Sequence, residues 1–217
     1  MKNPLETARK DPESMKARIL AKARTVFGDY GFHGATMRII AQEVGIDVST
    51  LYYHWGDKGD LYEAVILDIT EDLRQELARV EKVIKGRPLA QRIEIALDMM
   101  TNYLFDHPEV SNLNVMRFFA KTRHEMTWDA RIPVFAVDIA RSMGMQQADG
   151  SVSTDTKMEV MAIMMAIHNF IAGEDFFRSM LAMDRPAYVT SVKRTLKFLM
   201  IPAFAGVGLE SQPGTHS

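Results

Sequence analysis

Residue patterns that commonly mark catalysis occur in this chain only as fragments. His124-Glu125 opens like the helix of a zinc hydrolase, which needs a second imidazole one turn on so that both reach a single ion. Position 128, however, is Trp128. No glutamate stands three residues before a histidine, the helical spacing that assembles di-iron sites. Gly206-Val207-Gly208 is a lone fragment of a dinucleotide loop, and there is neither a Gly-x-Ser-x-Gly elbow nor a phosphate loop. With no cysteine, thiolate zinc sites, disulfides and a Cys nucleophile drop out together. The reading is a protein that is not an enzyme and carries no cofactor or metal.

A different chemistry, recognition through hydrogen bonds and shape, is concentrated between Thr36 and Trp55. Ala41, Gly45 and Leu51 have the spacing of a helix-turn-helix. A small side chain at Ala41 lets two helices approach, and Gly45 enters the left-handed backbone of the turn without a Cβ penalty. Ile40, Val44, Ile46 and Leu51 then point inward. Val48, Ser49, Thr50 and Tyr53 are left on the outer face of the second helix. Residues at the start of such a helix reach base edges in the major groove.

Helical periodicity extends over nearly the whole chain, and no alternating strand pattern is present. Ile19, Leu20, Ala23 and Phe27 form one stripe, with Ser14 as N-cap and Gly28 and Gly31 at its close. Thr36 caps a helix ending at Gly45, and Asp47 caps another that stops near Gly56. A longer helix starts at Asp57 and carries Leu61, Val65, Ile69, Leu73, Leu77 and Val80. Gly86 and Pro88 break it. Further helices are expected from Leu89 to Asp106, Val110 to Met126, Ile132 to Met143, Thr156 to Met183 and Pro186 to Ala203. In the last, Val189, Val192, Leu196 and Leu199 lie opposite Lys193 and Lys197. The fold class is all-α with about nine helices: a three-helix head carrying the helix-turn-helix, followed by a larger domain of roughly six helices, which the family resemblance given below makes a ligand-binding and dimerisation domain. Residues 1–62 form the arm and head, 63–205 the larger domain and 206–217 a flexible tail.

At 217 residues, 47% hydrophobic and 25% charged, the composition is that of an ordinary globular protein. Residues 1–60 hold 9 Lys and Arg against 8 Asp and Glu, so charge alone does not point to nucleic acid. The polar N-terminus is unlike a signal peptide. The longest apolar run, Val160 to Ile167, has 8 residues where a membrane span needs about 20. A cytoplasmic protein with no membrane partner is expected.

Arg18-Ile19-Leu20, Ala23, Phe27, Tyr30-Gly31-Phe32, Thr36, Ile40-Ala41, Gly45-Ile46, Leu51-Tyr52-Tyr53-His54-Trp55, Lys58 and Leu61 together resemble the TetR family of bacterial regulators. The likeness covers about 45 residues with several independent spacings. It implies a transcription regulator, usually a repressor, that binds double-stranded DNA at a palindromic operator as a homodimer. Thr36 and Tyr52 would give hydroxyls to phosphates with His54 and Lys58 beside them. Val48, Ser49, Thr50 and Tyr53 would face bases, and Arg38 would reach phosphate or base edges. Asp47 stands where the family often has Ser, and Trp55 where it has Phe. The family's later helices hold a small-molecule cavity, and its last two helices pair with a second subunit. The apolar run of Val160 to Ile167 suits burial on two sides. Sixteen methionines supply adaptable side chains that either line a cavity or fill a core. Met100, Met116, Arg117, Met164 and His168 are the candidates for contact with a small apolar or aromatic effector.

Overall fold

The computed structural model describes residues 4–119 and 132–205. Among these residues there are eleven helices and no strand. The chain divides into two compact units. One takes the chain up to Gln75 and again from His107, and the other has Glu76 to Asp106 and the described residues from 132 on. The expected tail at 206–217 and residues 120–126 of the helix expected to reach Met126 lie outside the described residues.

The first unit holds α1 (Pro4–Lys10), α2 (Met15–Gly34), α3 (Met37–Val44), α4 (Val48–Trp55), the first part of α5 (Lys58–Ile84) and α7 (Pro108–Phe119). Ser14 caps α2, its hydroxyl accepting from the Ala17 amide at 3.2 Å. Ile19, Leu20, Ala23 and Phe27 are buried as the stripe requires. At Gly31 the backbone leaves the helix (φ 66°, ψ 176°), so α2 is kinked one turn before its end. The expected cap at Asp57 has the geometry of a reciprocal box. The Asp60 amide donates to Asp57 Oδ1 at 2.9 Å, and the Asp57 amide to Asp60 Oδ2 at 3.0 Å.

Sequence periodicity has no view of what binds α1, α2, α5 and α7 together. Arg9 Nε donates to Asp68 Oδ1 at 2.8 Å and Arg9 Nη2 to Asp72 Oδ1 at 2.7 Å. Arg24 Nη1 reaches the other oxygens of Asp68 and Asp72 at 2.8 and 2.6 Å, and its Nη2 reaches Glu109 at 3.0 Å. Burial opposes the charge on Arg24. The hydrogen bond to Asp72 and the fields of Asp68, Asp72 and Glu109 outweigh it and raise the pKa above its ordinary value. The N-terminal segment, read from sequence as a polar arm, therefore forms a short helix with Ala8 buried and Arg9 paired.

The second unit holds the rest of α5, α6 (Leu89–Asp106), α8 (Ile132–Met143), α9 (Thr154–Ala172), α10 (Glu174–Leu181) and α11 (Arg185–Ala205). Two expectations are corrected here. The single helix expected from Thr156 to Met183 is two helices bent by 70° at Gly173. A Cβ at Gly173 would lie 2.6 Å from the Phe177 ring and 3.0 Å from the Asn169 carbonyl, so the missing side chain admits the bend. On α11, Lys193 and Lys197 do not form a solvent face. Lys193 is bonded to Asn102 on α6, and Lys197 to Asp98 at 2.7 Å and Glu94 at 3.3 Å. Their stems lie half-buried along the neighbouring helix, while Phe198 and Leu199 point outward. No single helix among the described residues is long and apolar enough to cross a membrane.

Candidate nucleic-acid interface

The core of the first unit fixes α3 and α4 by their inner faces. Ile40, Ala41, Val44, Leu51 and Trp55 are buried, and Ile46 is half-buried. Thr36 opens α3 by accepting the Ile39 amide at 3.2 Å. Gly45 closes it in the left-handed region (φ 77°, ψ 40°), its amide on the carbonyls of Ala41 and Gln42. Arg18 of α2 adds a bond to the Val44 carbonyl at 3.4 Å, a contact that sequence reading missed.

Leu51 and Trp55, one turn apart, anchor α4, and Ser49, Tyr52 and Tyr53 are its exposed residues. Ser49 is exposed, Val48 and Thr50 are half-buried, Tyr52 is 50% exposed and Tyr53 is 85% exposed. The Tyr53 and His54 rings meet edge to face at 5.3 Å. Asp47 departs from expectation, for its side chain makes no cap bond. The first turn closes instead through its backbone, the Asp47 carbonyl accepting from Thr50 at 3.0 Å and Leu51 at 3.3 Å.

The other residues of the DNA-facing set are placed as follows. Arg38 is exposed on α3, and Thr36 is exposed with its hydroxyl oxygen engaged in the cap. Lys58 is half-buried, with Nζ 2.9 Å from the Phe32 carbonyl, 3.2 Å from the Ala35 carbonyl and 4.4 Å from the centre of the Phe32 ring.

The five effector candidates are placed as follows. Met116 and Arg117 are on α7 in the first unit, and Arg117 Nη1 is 3.4 Å from Asn114 Oδ1. A Cβ at Gly31 would lie 3.2 Å from Met116 Sδ. Met100, Met164 and His168 are in the second unit. There Met100 packs with Val80, Ile84 and Ala96, and Met164 packs in another cluster with Ala136, Ala140, Val152 and Val160. His168 is buried, and burial lowers its pKa to about 4.

Residues 19–65 match the family described as bacterial regulatory proteins, tetR family. The HTH-type transcriptional regulator UidR of Escherichia coli strain K12 is 34% identical over 82 residues, 38% of this chain and 40% of that protein. The HTH-type transcriptional repressor AcnR of Corynebacterium glutamicum is 29% identical over 80 residues, 37% of this chain and 39% of that protein. The chain thus matches about two fifths of the length of these relatives. A TetR-like transcriptional regulator from Rhodococcus sp. RHA1 shares the fold, with a TM-score of 0.59 at 19% identity over 88% of this chain and 95% of that one.

Proposed function

We propose that the chain, whose residues 19–65 match the tetR family of bacterial regulatory proteins, is a helix-turn-helix regulator of that family and acts as a repressor. It binds a palindromic operator in double-stranded DNA as a homodimer and is released by a small apolar or aromatic effector. The observation that carries this reading is α4. Leu51 and Trp55 bury one edge, while Ser49, Tyr52 and Tyr53 stay exposed on an otherwise ordered helix. In this proposal Val48, Ser49, Thr50 and Tyr53 meet base edges. Thr36, Arg38, Tyr52 and His54 meet phosphates or lie beside them.

The homodimer is supported by the outer faces of α9 and α11. Met158, Ala162, Met165 and Asn169 recur at helical spacing on the exposed side of α9. On α11, Phe198 is 75% and Leu199 50% exposed. Apolar stripes of this kind on two long helices suit the surface of a second copy. Cytoplasmic action at chromosomal DNA belongs to the same proposal. The effector rests on the family likeness alone, because Met100 and Met164 pack into separate apolar clusters.

The test is selection of bound fragments from random duplex DNA. The expected result is a two-fold symmetric site whose half-sites are about 34–36 Å apart, so that two recognition helices enter successive major grooves. Thr50→Ala combined with Tyr52→Ala should abolish selective binding. Recovery of no preferred sequence, or of an unsymmetrical single site, would refute the proposal.

A further inference from the structure

We infer that Lys58 is a positioning residue of the DNA-reading site, a clamp between two joints of the helix-turn-helix rather than a phosphate contact. This rests on the DNA-binding reading above. Lys58 is the first residue of α5, three residues after α4 ends at Trp55. Its two carbonyl partners are at the other joint. Phe32 is in the last turn of α2, and Ala35 immediately precedes Thr36, the cap of α3. One ammonium therefore ties the start of α5, three residues beyond α4, to the joint between α2 and α3, and the angle that α4 presents to a duplex depends on both of the joints that flank the motif.

The clamp is anchored on its far side. The Phe32 ring beneath Nζ packs 5.0 Å from Tyr62 and 6.5 Å from Phe27, both of them core residues. The last carbonyls of any helix lack a partner further along it, and a cation at that end is favoured by the helix dipole. The kink at Gly31 leaves α2 only one further turn, in which the backbone turns toward Ala35. Ala35 is fully buried, so its carbonyl cannot turn to bulk water if the ammonium departs. An ammonium has three donors. Two face carbonyls here, and an aromatic face lies close by. A phosphate oxygen could reach only the third donor without displacing one of the carbonyls, and each one displaced would loosen the joint on which reading depends.

The experiment uses the full chain, the operator recovered by selection and a scrambled duplex. Lys58→Met keeps the stem and removes the ammonium, and Lys58→Arg keeps the charge in another shape. Without DNA, both variants should melt below the parent. At temperatures where each is folded, Lys58→Met should bind the operator on the order of tenfold more weakly, the scale of one hydrogen bond to a charged group. Its salt slope and its binding to the scrambled duplex should match the parent's. Lys58→Arg should not restore affinity, since a planar guanidinium does not reproduce a point contact to two carbonyls. A salt slope reduced by about 0.9 per protomer, or full recovery with Arg, identifies a phosphate contact and overturns the inference. Unchanged operator affinity in folded Lys58→Met overturns it too, leaving a residue that only stabilises. If the parent binds no duplex, the DNA reading itself fails before any variant is compared, and this inference fails with it.

Discussion

Replacing Arg24 by Met tests whether the ionic joint of the first unit contributes to its stability. The substitution removes bonds of 2.8 Å to Asp68, 2.6 Å to Asp72 and 3.0 Å to Glu109. Arg9 still reaches the other oxygen of Asp68 and of Asp72, so neither aspartate is stranded. Among the described residues Glu109 still has His107, at 3.8 Å. Asp68 and Asp72 would then share the one guanidinium of Arg9, and Glu109 would have lost its guanidinium partner. Hydrogen bonds to charged groups contribute about 1.5–3 kcal/mol each, and removing one partner of a buried pair costs about 3–5 kcal/mol. The cover remaining from Arg9, and the access of water to Asp72 at 32% exposure, place the loss at the lower end of that range. Met also retains most of the aliphatic packing. A loss of about 3 kcal/mol is expected, equivalent to a fall of roughly 6–12 °C in melting temperature for a chain of this size.

The assay is urea unfolding followed by far-UV circular dichroism, at low and at high salt. The Arg24 side chain is 14% exposed and that of Asp68 8%, so salt should diminish the loss only modestly. A double-mutant cycle with Glu109→Gln should return a coupling of about 1 kcal/mol or more. A loss below about 1 kcal/mol, or one that vanishes at high salt, would show that the network behaves as an exposed surface cluster.

Three further outcomes are expected. The His168 pKa falls from its ordinary 6.5 to about 4 through burial. Below pH 6.5 the unfolded chain therefore takes up a proton that the folded chain refuses. Stability should be fully present above that pH and lost as pH falls toward 4, by about 2 kcal/mol between pH 7 and 5. His168→Phe should flatten this part of the pH profile of the urea midpoint, and an unchanged profile would contradict the assignment. Asp57→Ala should cost about 1 kcal/mol because it breaks a reciprocal cap, while Asp47→Ala, where no cap bond exists, should change stability by less than about 0.5 kcal/mol in the same assay. Phe198→Asp should leave the protein folded and reduce its mass by light scattering at micromolar concentration from dimer to monomer, whereas a variant that stays dimeric would place the proposed interface elsewhere.

Local spacing made the helix-turn-helix legible, because the motif's constraints are themselves local. Gly45 has to adopt a left-handed backbone, Ala41 has to be small, and Leu51 and Trp55 have to share an inner edge one turn apart. The all-helical class was legible for the same reason, since each apolar stripe repeats within a few residues. Only the tertiary structure decided which partners the charged groups would take. Arg24 meets Glu109 across 85 residues, Lys197 meets Asp98 across 99, and Lys58 turns back to carbonyls 23 and 26 residues earlier. Long flexible side chains carry no periodic signature of their targets. The break at Gly173 likewise depends on where the Phe177 ring comes to rest. Short-range backbone rules therefore determined most of the helices, and long-range packing determined which charged side chains hold the protein together.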